Sequence, residues 1–307
     1  MKKRKKQEIR RFFIGLILII AIFAYETYLE EPLQNMLYKL EEYEILPAKS
    51  RKVDGNLHIY YFDVGQADCI LIQNKTNNMV IDAGNNADGP KLVKALKSLG
   101  IEKIDYLVGT HAHEDHIGGM DDLIRNFEIK TFYMPEVITT TKTFEDVLDA
   151  LEEKQVAFDT PEIDKTFYLG DALVDTLYVG TDETDLNNTS IVLKVTYGRN
   201  AFLFMGDAEA KVERQILDKD ISSDILKLGH HGSSYSTTKD FLKEVNPTYA
   251  IISVEKGNDY GHPHKETLTR LKNQNVKVYR TDKDHTIIAT SDGNNITIST
   301  KEMDTNG

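Results

Sequence analysis

The amino-acid sequence predicts an α/β fold in which two β-sheets pack face to face between outer helices, a four-layer α/β/β/α sandwich. Three observations lead to this prediction. From residue 57 onward, β-branched and aromatic runs of strand length recur. Segments with helical apolar spacing lie between these runs in both the early and the late part of the chain. About 250 residues remain for the domain, which is a natural size for a single fold of this kind.

The first half of this region contains five predicted strands and three predicted helices. Runs of Val, Ile, Leu, Tyr and Phe mark the strands, and the apolar spacing of KLVKALKSLG stops at Gly100, as is typical of a helix C-terminus. The predicted strands cover 57–65, 68–73, 79–84, 104–110 and 130–134, and the predicted helices cover 91–100, 120–126 and 143–154.

The second half begins with three strands in succession, two of which are joined by a hairpin turn at YGRN, residues 197–200. A helix follows, and helices and strands then alternate toward the end of the chain. The predicted strands cover 173–180, 189–198, 200–207, 224–229, 248–254 and 277–281, and the predicted helix between them covers 208–217.

The amino terminus predicts a membrane anchor. Residues 1–11 hold seven basic side chains and one acid, and residues 12–25 carry no charge. This run is short for a full span of about 20 residues, but its basic flank favours an uncleaved anchor with the following domain outside the cell, or a secreted domain if the segment is cleaved. We therefore divide the chain into a basic terminus with an anchor or signal (1–29), a stalk (30–55) and a globular domain (56–307).

Charge and cysteine content limit the classes of function. Without residues 1–11, the chain has 30 basic and 48 acidic residues, a net charge of −18. Such an average field repels a polyanion, so DNA binding would require a local basic patch or metal ions. Lys227 and Lys256 are interpreted as solvated side chains. The single cysteine, Cys69, excludes a disulfide framework and a multi-cysteine zinc site.

The motif THAHEDHIGG at 110–119 predicts a metal site. His111 and His113 follow a predicted strand directly, and Asp115 and His116 come before two glycines that allow a sharp turn. Imidazole and carboxylate ligands suit Zn²⁺ or Mn²⁺, and four of them in one loop can serve two ions. One loop cannot complete two coordination shells, so further ligands are expected at other strand ends.

Two later strand ends offer these further ligands. Asp207 follows the strand of LFMGDAE, and His230 and His231 follow that of LKLGHHGS. An acid after a Gly turn is common on its own, whereas adjacent histidines on a glycine-flanked loop favour a functional role. A third motif, YGHPH, places His262 before a predicted helix, where we expect it to contact a phosphate or leaving group.

Seven motifs carry a resemblance to a known family: YFDVGQADCILIQ, VIDAG, THAHEDHIGG, NNTSIVL, FLFMGDAE, LKLGHHGS and YGHPH. Because these motifs occur in that order, the chain resembles the metallo-β-lactamase-fold hydrolases from about residue 57 to residue 300. Within that superfamily it is most similar to the extracytoplasmic hydrolase domain of ComEC-type competence proteins. The resemblance implies the four-layer fold and two divalent metal ions, Zn or Mn.

The resemblance also implies roles for the candidate residues. His111 and His113 would hold one ion, Asp115 and His116 the second, and Asp207 would bridge both. One histidine of the pair at 230 and 231 would complete the second site and the other would face the substrate; the sequence leaves open which is which.

Around these ligands, the resemblance implies two supporting residues. Asp82 would orient a ligand histidine from the second shell, and Asn188 would lie nearby. β-Lactamases have a further histidine between the HxHxDH loop and the bridging acid. No histidine occurs here between His116 and His230, so we expect a more open first site.

The predicted function is hydrolysis of a phosphodiester. A metal-bound hydroxide positioned by Asp115 would attack phosphorus, with His231 or His262 stabilising the developing charge. The predicted substrate is either DNA, in which case the protein is a nuclease, or a cell-surface phosphoester such as phosphorylcholine on teichoic acid. The alternative from another functional class is a non-catalytic sensor module that binds metal. The predicted partners are this substrate and the membrane, with no protein partner.

Overall fold

The computed structural model describes residues 53–182 and 184–302 of the chain, and these residues form one compact unit. The predicted anchor at 12–25 and most of the predicted stalk lie outside the described residues. No helix within the described ranges is long and apolar enough to cross a bilayer. The predicted division at 29 and 55 stays a prediction.

Fifteen strands and eight α-helices make up the described chain. The strands are β1 (Leu57–Tyr61), β2 (Ile70–Asn74), β3 (Asn77–Ile81), β4 (Lys103–Val108), β5 (Glu128–Tyr133), β6 (Phe158–Asp159), β7 (Thr166–Leu169), β8 (Ala172–Tyr178), β9 (Val192–Tyr197), β10 (Asn200–Phe204), β11 (Ile225–Lys227), β12 (Tyr249–Ile252), β13 (Lys277–Arg280), β14 (Thr286–Ser291) and β15 (Ile296–Lys301). The helices are α1 (Gly89–Ser98), α2 (Glu114–Ile117), α3 (Met120–Asn126), α4 (Lys142–Lys154), α5 (Ala210–Gln215), α6 (Lys239–Val245), α7 (Lys265–Asn273) and α8 (Thr281–Asp284).

The strands form two mixed sheets. The first has the order β15-β14-β1-β2-β3-β4-β5-β6, and the second has the order β13-β12-β11-β10-β9-β8-β7. In the first sheet, neighbouring strands among β1, β2 and β3 are antiparallel, whereas β3, β4 and β5 are parallel. In the second sheet, β10, β11, β12 and β13 are parallel. The parallel regions determine where the functional loops meet.

Side-chain alternation along the strands builds three apolar layers. In β2, Ile70 and Ile72 face the other sheet, whereas Leu71 packs beneath the helices. The layer under the first sheet includes residues of α1, α3 and α4, and the layer under the second includes residues of α5, α6 and α7. The predicted α/β/β/α sandwich is therefore confirmed.

The structure differs from the predicted elements mainly at their ends. The run at 57–65 stops being a strand after Tyr61, and β9 begins only at Val192, because Leu186–Thr189 forms a 3₁₀ turn. The hairpin of β14 and β15 was not predicted. Its outer strand, ITISTK, is largely exposed, so it lacks the apolar run by which a buried strand is found.

Candidate metal centre

The candidate ligands meet at one edge of the sandwich because they follow parallel strands. β3 and β4 are parallel, so Asp82 and the loop with His111 leave the first sheet at the same edge. β10 and β11 are also parallel, which places Asp207 and the histidines at 230 and 231 together at the edge of the second sheet.

Four of the predicted ligands converge into what we call the four-residue cluster: Asp115, His116, Asp207 and His231. One ligand atom from each lies within 4.8 Å of the others. His116 Nε2 is 3.3 Å from Asp207 Oδ1. His231 Nε2 is 3.2 Å from Asp115 Oδ2 and 3.8 Å from Asp207 Oδ1.

The four-residue cluster fits a divalent cation. His116 Nε2 and Asp207 Oδ1 are buried and face each other, yet neither has a hydrogen-bond partner among the residues that the structure describes. Buried polar atoms are almost always satisfied, and an unsatisfied facing pair calls for a group between them. Imidazole and carboxylate donors suit Zn²⁺ or Mn²⁺.

Hydrogen bonds behind the cluster orient its two imidazoles. His116 Nδ1 donates to Asp82 Oδ2 at 2.8 Å, and His231 Nδ1 donates to the carbonyl of Ser253 at 3.0 Å. Asp82 is held in turn by the amide and hydroxyl of Thr110, both at 2.8 Å. Each imidazole therefore presents Nε2 to the cluster, the arrangement that outer carboxylates and carbonyls impose on metal-binding histidines.

Carboxylates dominate the proton affinities of the cluster. Burial lowers the pKa of His116, but Asp207, Asp82 and Asp115 outweigh it, so that the pKa rises well above its usual range. The pKa of His231 is raised in the same way, against burial, chiefly by Asp207 and by the hydrogen bond that His231 donates to Asp115. Burial raises the pKa of Asp207, but His116 and His231 outweigh it and hold the pKa well below its usual range.

His111 and His113, which we call the histidine pair, lie next to the cluster. His111 Nε2 is 2.9 Å from His113 Nδ1 and 4.0 Å from Asp207 Oδ2. The two oxygens of Asp207 thus face different groups, Oδ1 the cluster and Oδ2 the pair. Burial and the neighbouring His116 lower the pKa of His111 well below its usual range, and burial lowers that of His113.

The adjacent histidines at 230 and 231 have different surroundings. His231 is buried in the cluster, whereas the side chain of His230 is 22% exposed and lines the cavity above it. Glu209 Oε1 accepts a hydrogen bond from His230 Nδ1 at 2.9 Å, which leaves Nε2 on the side of Asp207 Oδ2, 3.8 Å away.

The two asparagines also differ. Asn187 lines the cavity, and its Nδ2 is 3.4 Å from His230 Nδ1. Asn188 is buried, and its Oδ1 accepts a hydrogen bond from the backbone amide of Glu209 at 3.0 Å. Asn188 therefore supports the loop that carries Asp207 and Glu209.

His262 lies above the cluster as a neutral imidazole with a defined tautomer. Burial and the neighbouring His230 and His231 lower its pKa to about 4. Gln66 Oε1 accepts from the amide of Glu255, so the Gln66 amide nitrogen faces His262 Nδ1 at 3.4 Å and donates to it. The ring proton is therefore on Nε2, where it can be donated to a ligand.

Two adjoining depressions give access to the centre. A cavity of about 280 Å³ contains Asp207, His230, His231 and His262 in its wall. A groove of about 1000 Å³ adjoins it through shared residues such as Gln66 and Tyr260. The groove is acidic: its wall includes Asp63, Asp88, Glu114, Asp115 and Glu255 and, among the described residues, one basic side chain, Lys91.

Three site residues adopt left-handed backbone conformations, which residues other than glycine rarely adopt: Asp82 (φ 60°), His230 (φ 49°) and His231 (φ 50°). Each costs about 1–2 kcal/mol relative to the right-handed form. Such residues persist where the surroundings fix them and cluster at functional sites. Here the amide of Asp82 donates to the carbonyl of Val108 at 2.8 Å, and that of His230 donates to the carbonyl of Gly206 at 3.2 Å.

The sequence does not predict the roles of several residues of the centre. Glu209 and Gln66 orient histidines, and Ser190 Oγ accepts from the amide of Asp207 at 3.0 Å. None of them belongs to a ligand pattern. The prediction that Lys227 is solvated is wrong: the side chain is 1% exposed and its Nζ is 2.6 Å from Asp68 Oδ2.

Comparison with known proteins places this geometry in a family. Residues 62–255 match the model of the metallo-beta-lactamase superfamily, and the chain belongs to that superfamily. The chain is 31% identical over 246 residues to ComE operon protein 3 of Bacillus subtilis, covering 73% of this chain and 32% of that protein. It is 29% identical over 227 residues to Competence protein ComA of Neisseria gonorrhoeae, covering 72% and 30%. The predicted resemblance to ComEC-type proteins is confirmed, although the chain spans about a third of the length of these relatives.

A solved structure shows the same fold at low identity. The crystal structure of CmlA, a diiron beta-hydroxylase from Streptomyces venezuelae, has a TM-score of 0.50 and 13% identity, over 75% of this chain and 53% of that one. At this identity the likeness supports the fold alone.

Proposed function

We propose that the protein is a metal-dependent phosphodiesterase. The observation that supports this most directly is the facing pair of unsatisfied buried atoms, His116 Nε2 and Asp207 Oδ1, beneath an open cavity. The four-residue cluster would hold one divalent ion, and the histidine pair with Asp207 Oδ2 would hold a second. When bound, such ions activate water near neutral pH and polarise the phosphoryl oxygens.

The protein side chains would supply orientation and hydrogen bonds. Asp115 is 32% exposed at its side chain, so one of its oxygens can face a water in the cavity while Oδ2 stays beside His231. His262 is neutral at pH 7 and donates from Nε2, which suits a hydrogen bond to a phosphate oxygen or a leaving group. His230, oriented by Glu209, faces the same cavity.

The acidic groove favours a substrate other than a long polyanion. A polynucleotide lying along it would meet the carboxylates of Asp63, Asp88 and Glu255 beside the cavity. A small phosphodiester with a cationic or neutral substituent would not be repelled, and Tyr260, 68% exposed at the rim, offers an aromatic face to an ammonium group. Cell-surface phosphorylcholine esters are therefore our second candidate substrate beside DNA.

Hydrolysis assays on the full chain test the proposal. The substrates are bis-(p-nitrophenyl) phosphate, single-stranded DNA and a phosphorylcholine ester, each with and without Zn²⁺ or Mn²⁺. Metal-dependent turnover that is lost in Asp207→Asn supports the phosphodiesterase. Turnover of the choline ester but not of DNA contradicts the nuclease form. Stoichiometric metal binding without turnover of any ester supports the sensor module instead.

The location is a separate proposal. The uncharged run 12–25 behind a basic terminus supports anchoring in the membrane with the domain on the outer side. External protease added to intact cells should then cleave the domain, whereas protection of the domain until the cells are lysed would contradict the outside assignment.

A further inference from the structure

A buried ion pair joins the two sheets directly behind the metal centre. Lys227 is the last residue of β11, and like Ile225 it points between the sheets rather than under the helices. Its Nζ reaches Asp68 Oδ2 at 2.6 Å, and both side chains are 1% exposed. The ammonium also donates to the carbonyl of Leu228 at 3.1 Å.

Asp68 is connected to the ligands on both sides. Its amide donates to the carbonyl of the ligand Asp115 at 3.0 Å, and its carbonyl accepts from Gly84 at 2.8 Å, two residues after Asp82. Asp68 Oδ1 lies 3.8 Å from His231 Nδ1 and has no hydrogen-bond partner among the described residues. A further set of ligand atoms from Asp68, Asp82 and His116 lies within 4.8 Å.

The position of Lys227 would determine the charge that bound metal ions experience. Asp68 would otherwise add a fourth carboxylate to Asp82, Asp115 and Asp207 around two imidazoles. Lys227 neutralises this carboxylate where water cannot screen it, and at such depth a single charge has a large effect on its neighbours.

We propose that Asp68 and Lys227 act as a positioning and charge-balancing pair for the metal centre, although neither is a ligand. Asp68 ties the loop of Asp115 to the loop of Asp82 and offsets the ammonium, and Lys227 keeps the Asp68 carboxylate away from His231. The inference rests on the proposed metal site.

Zinc affinity of the full chain, measured by competition with a chelator at fixed pH, tests the pair through the sign of each effect. Asp68→Asn keeps an acceptor for Lys227 but leaves a positive charge beside the ions, so the affinity should fall about tenfold or more, as for other outer residues. Lys227→Met removes the positive charge and should leave the affinity equal to the wild type or higher. The double variant should return to within about threefold of the wild type, because the two charges cancel.

The chain offers a control that matches the lysine. Lys194 lies in the same sheet, is 5% exposed, and pairs away from the centre with Asp220 Oδ2 at 2.8 Å, although the Asp220 side chain is 83% exposed. Lys194→Met and Asp220→Asn should leave zinc affinity within about twofold of the wild type, in line with distant, independent sites.

The outcomes separate this inference from the proposed function. Absence of zinc binding in the wild type contradicts the metal site itself. Binding in the wild type with an unchanged Asp68→Asn, or with equal losses in both single variants, overturns the pair as a charge device. If Asp68→Asn does not fold, judged by circular dichroism, Lys227→Met and the double variant decide: a tenfold loss in either overturns the inference.

Discussion

The four-residue cluster and the histidine pair lie side by side and share Asp207, yet their histidines differ in proton affinity. His116 and His111 are both fully buried, but the pKa of His116 is raised and that of His111 is lowered. The difference comes from the neighbours: carboxylates surround His116, whereas His111 contacts hydroxyl groups and His113. Without metal, the cluster histidines therefore keep their protons to a higher pH than usual, and the histidine pair loses its protons at a lower pH than usual.

This comparison predicts two unequal metal sites. The cluster offers two carboxylates and two imidazoles oriented from behind, so it should bind the first ion tightly. The histidine pair offers two imidazoles and depends on Asp207 for its carboxylate. The first ion should therefore be retained on dialysis and the second exchanged more readily.

Asp207→Asn should have the largest effect, because Asp207 is, among the described residues, the acid whose two oxygens face both groups. The variant should lose more than about 100-fold in zinc affinity, beyond the range seen for residues that only support a ligand. Metal content after dialysis and zinc titration measure this loss. Retention of one tightly bound ion by Asp207→Asn would contradict the shared role.

Single histidine variants should separate the two sites. His231→Ala removes a cluster ligand and should abolish tight binding of the first ion, whereas His113→Ala should keep about one tightly bound ion per chain and lose the second. Metal stoichiometry by mass spectrometry after dialysis measures both. Equal stoichiometries in the two variants would mean that the cluster and the pair are not distinct sites.

Asp82→Asn should have an intermediate effect. The variant keeps an acceptor for Thr110 but places an amide beside His116 Nδ1, so the imidazole loses its charged partner and its orientation. Zinc affinity should fall about 10- to 100-fold. Asp105→Asn is the matched control, because Asp105 is equally buried but pairs with Lys103 and the amide of Asn78. A comparable loss in the control would show that a buried acid matters only for folding.

The sequence predicts the ligands better than their supports. The ligands follow apolar strands in compact motifs, so local pattern finds His111, His116, Asp207 and the adjacent histidines. Their convergence depends on which strands lie side by side and parallel, and the motifs alone do not give this order. Lys227 shows the limit most clearly: its local sequence predicts a solvated side chain, because its partner, Asp68, lies 159 positions away in the loop before β2 of the other sheet.

The ends of the strands are also predicted poorly from the sequence, because apolar runs continue past the last hydrogen bond of a strand. The stretch from 205 to 207 reads as strand but forms the loop that turns Asp207 into the site. The roles of Glu209 and Gln66 could not be predicted either. Each orients a histidine that is distant in sequence, and no spacing rule connects such pairs.

The number of protons released on metal binding is the smallest of the expected effects. It distinguishes the two sites without any substitution. The pKa values of His116 and His231 are raised, so these imidazoles keep their second proton to a higher pH than usual, and any such proton must leave when an ion binds. The pKa values of His111 and His113 are lowered, so the second ion displaces none from them. The first equivalent of zinc should therefore release up to about two protons at pH 7. Calorimetry in buffers of different ionisation enthalpy measures this number for each ion.

The same shifts predict how the metal-free protein responds to pH. A histidine whose pKa is raised on folding stabilises the fold below about pH 6.5, and this contribution disappears as the pH rises through the raised value. Asp207 acts in the opposite direction: its lowered pKa stabilises the fold above about pH 4, and that contribution disappears in acid. Metal-free protein should therefore lose thermal stability from pH 6.5 upward, whereas zinc should remove this loss, because the bound ion supplies the positive charge that the protonated histidines supply in the metal-free protein. Equal alkaline losses with and without zinc would mean that the ion does not occupy the four-residue cluster.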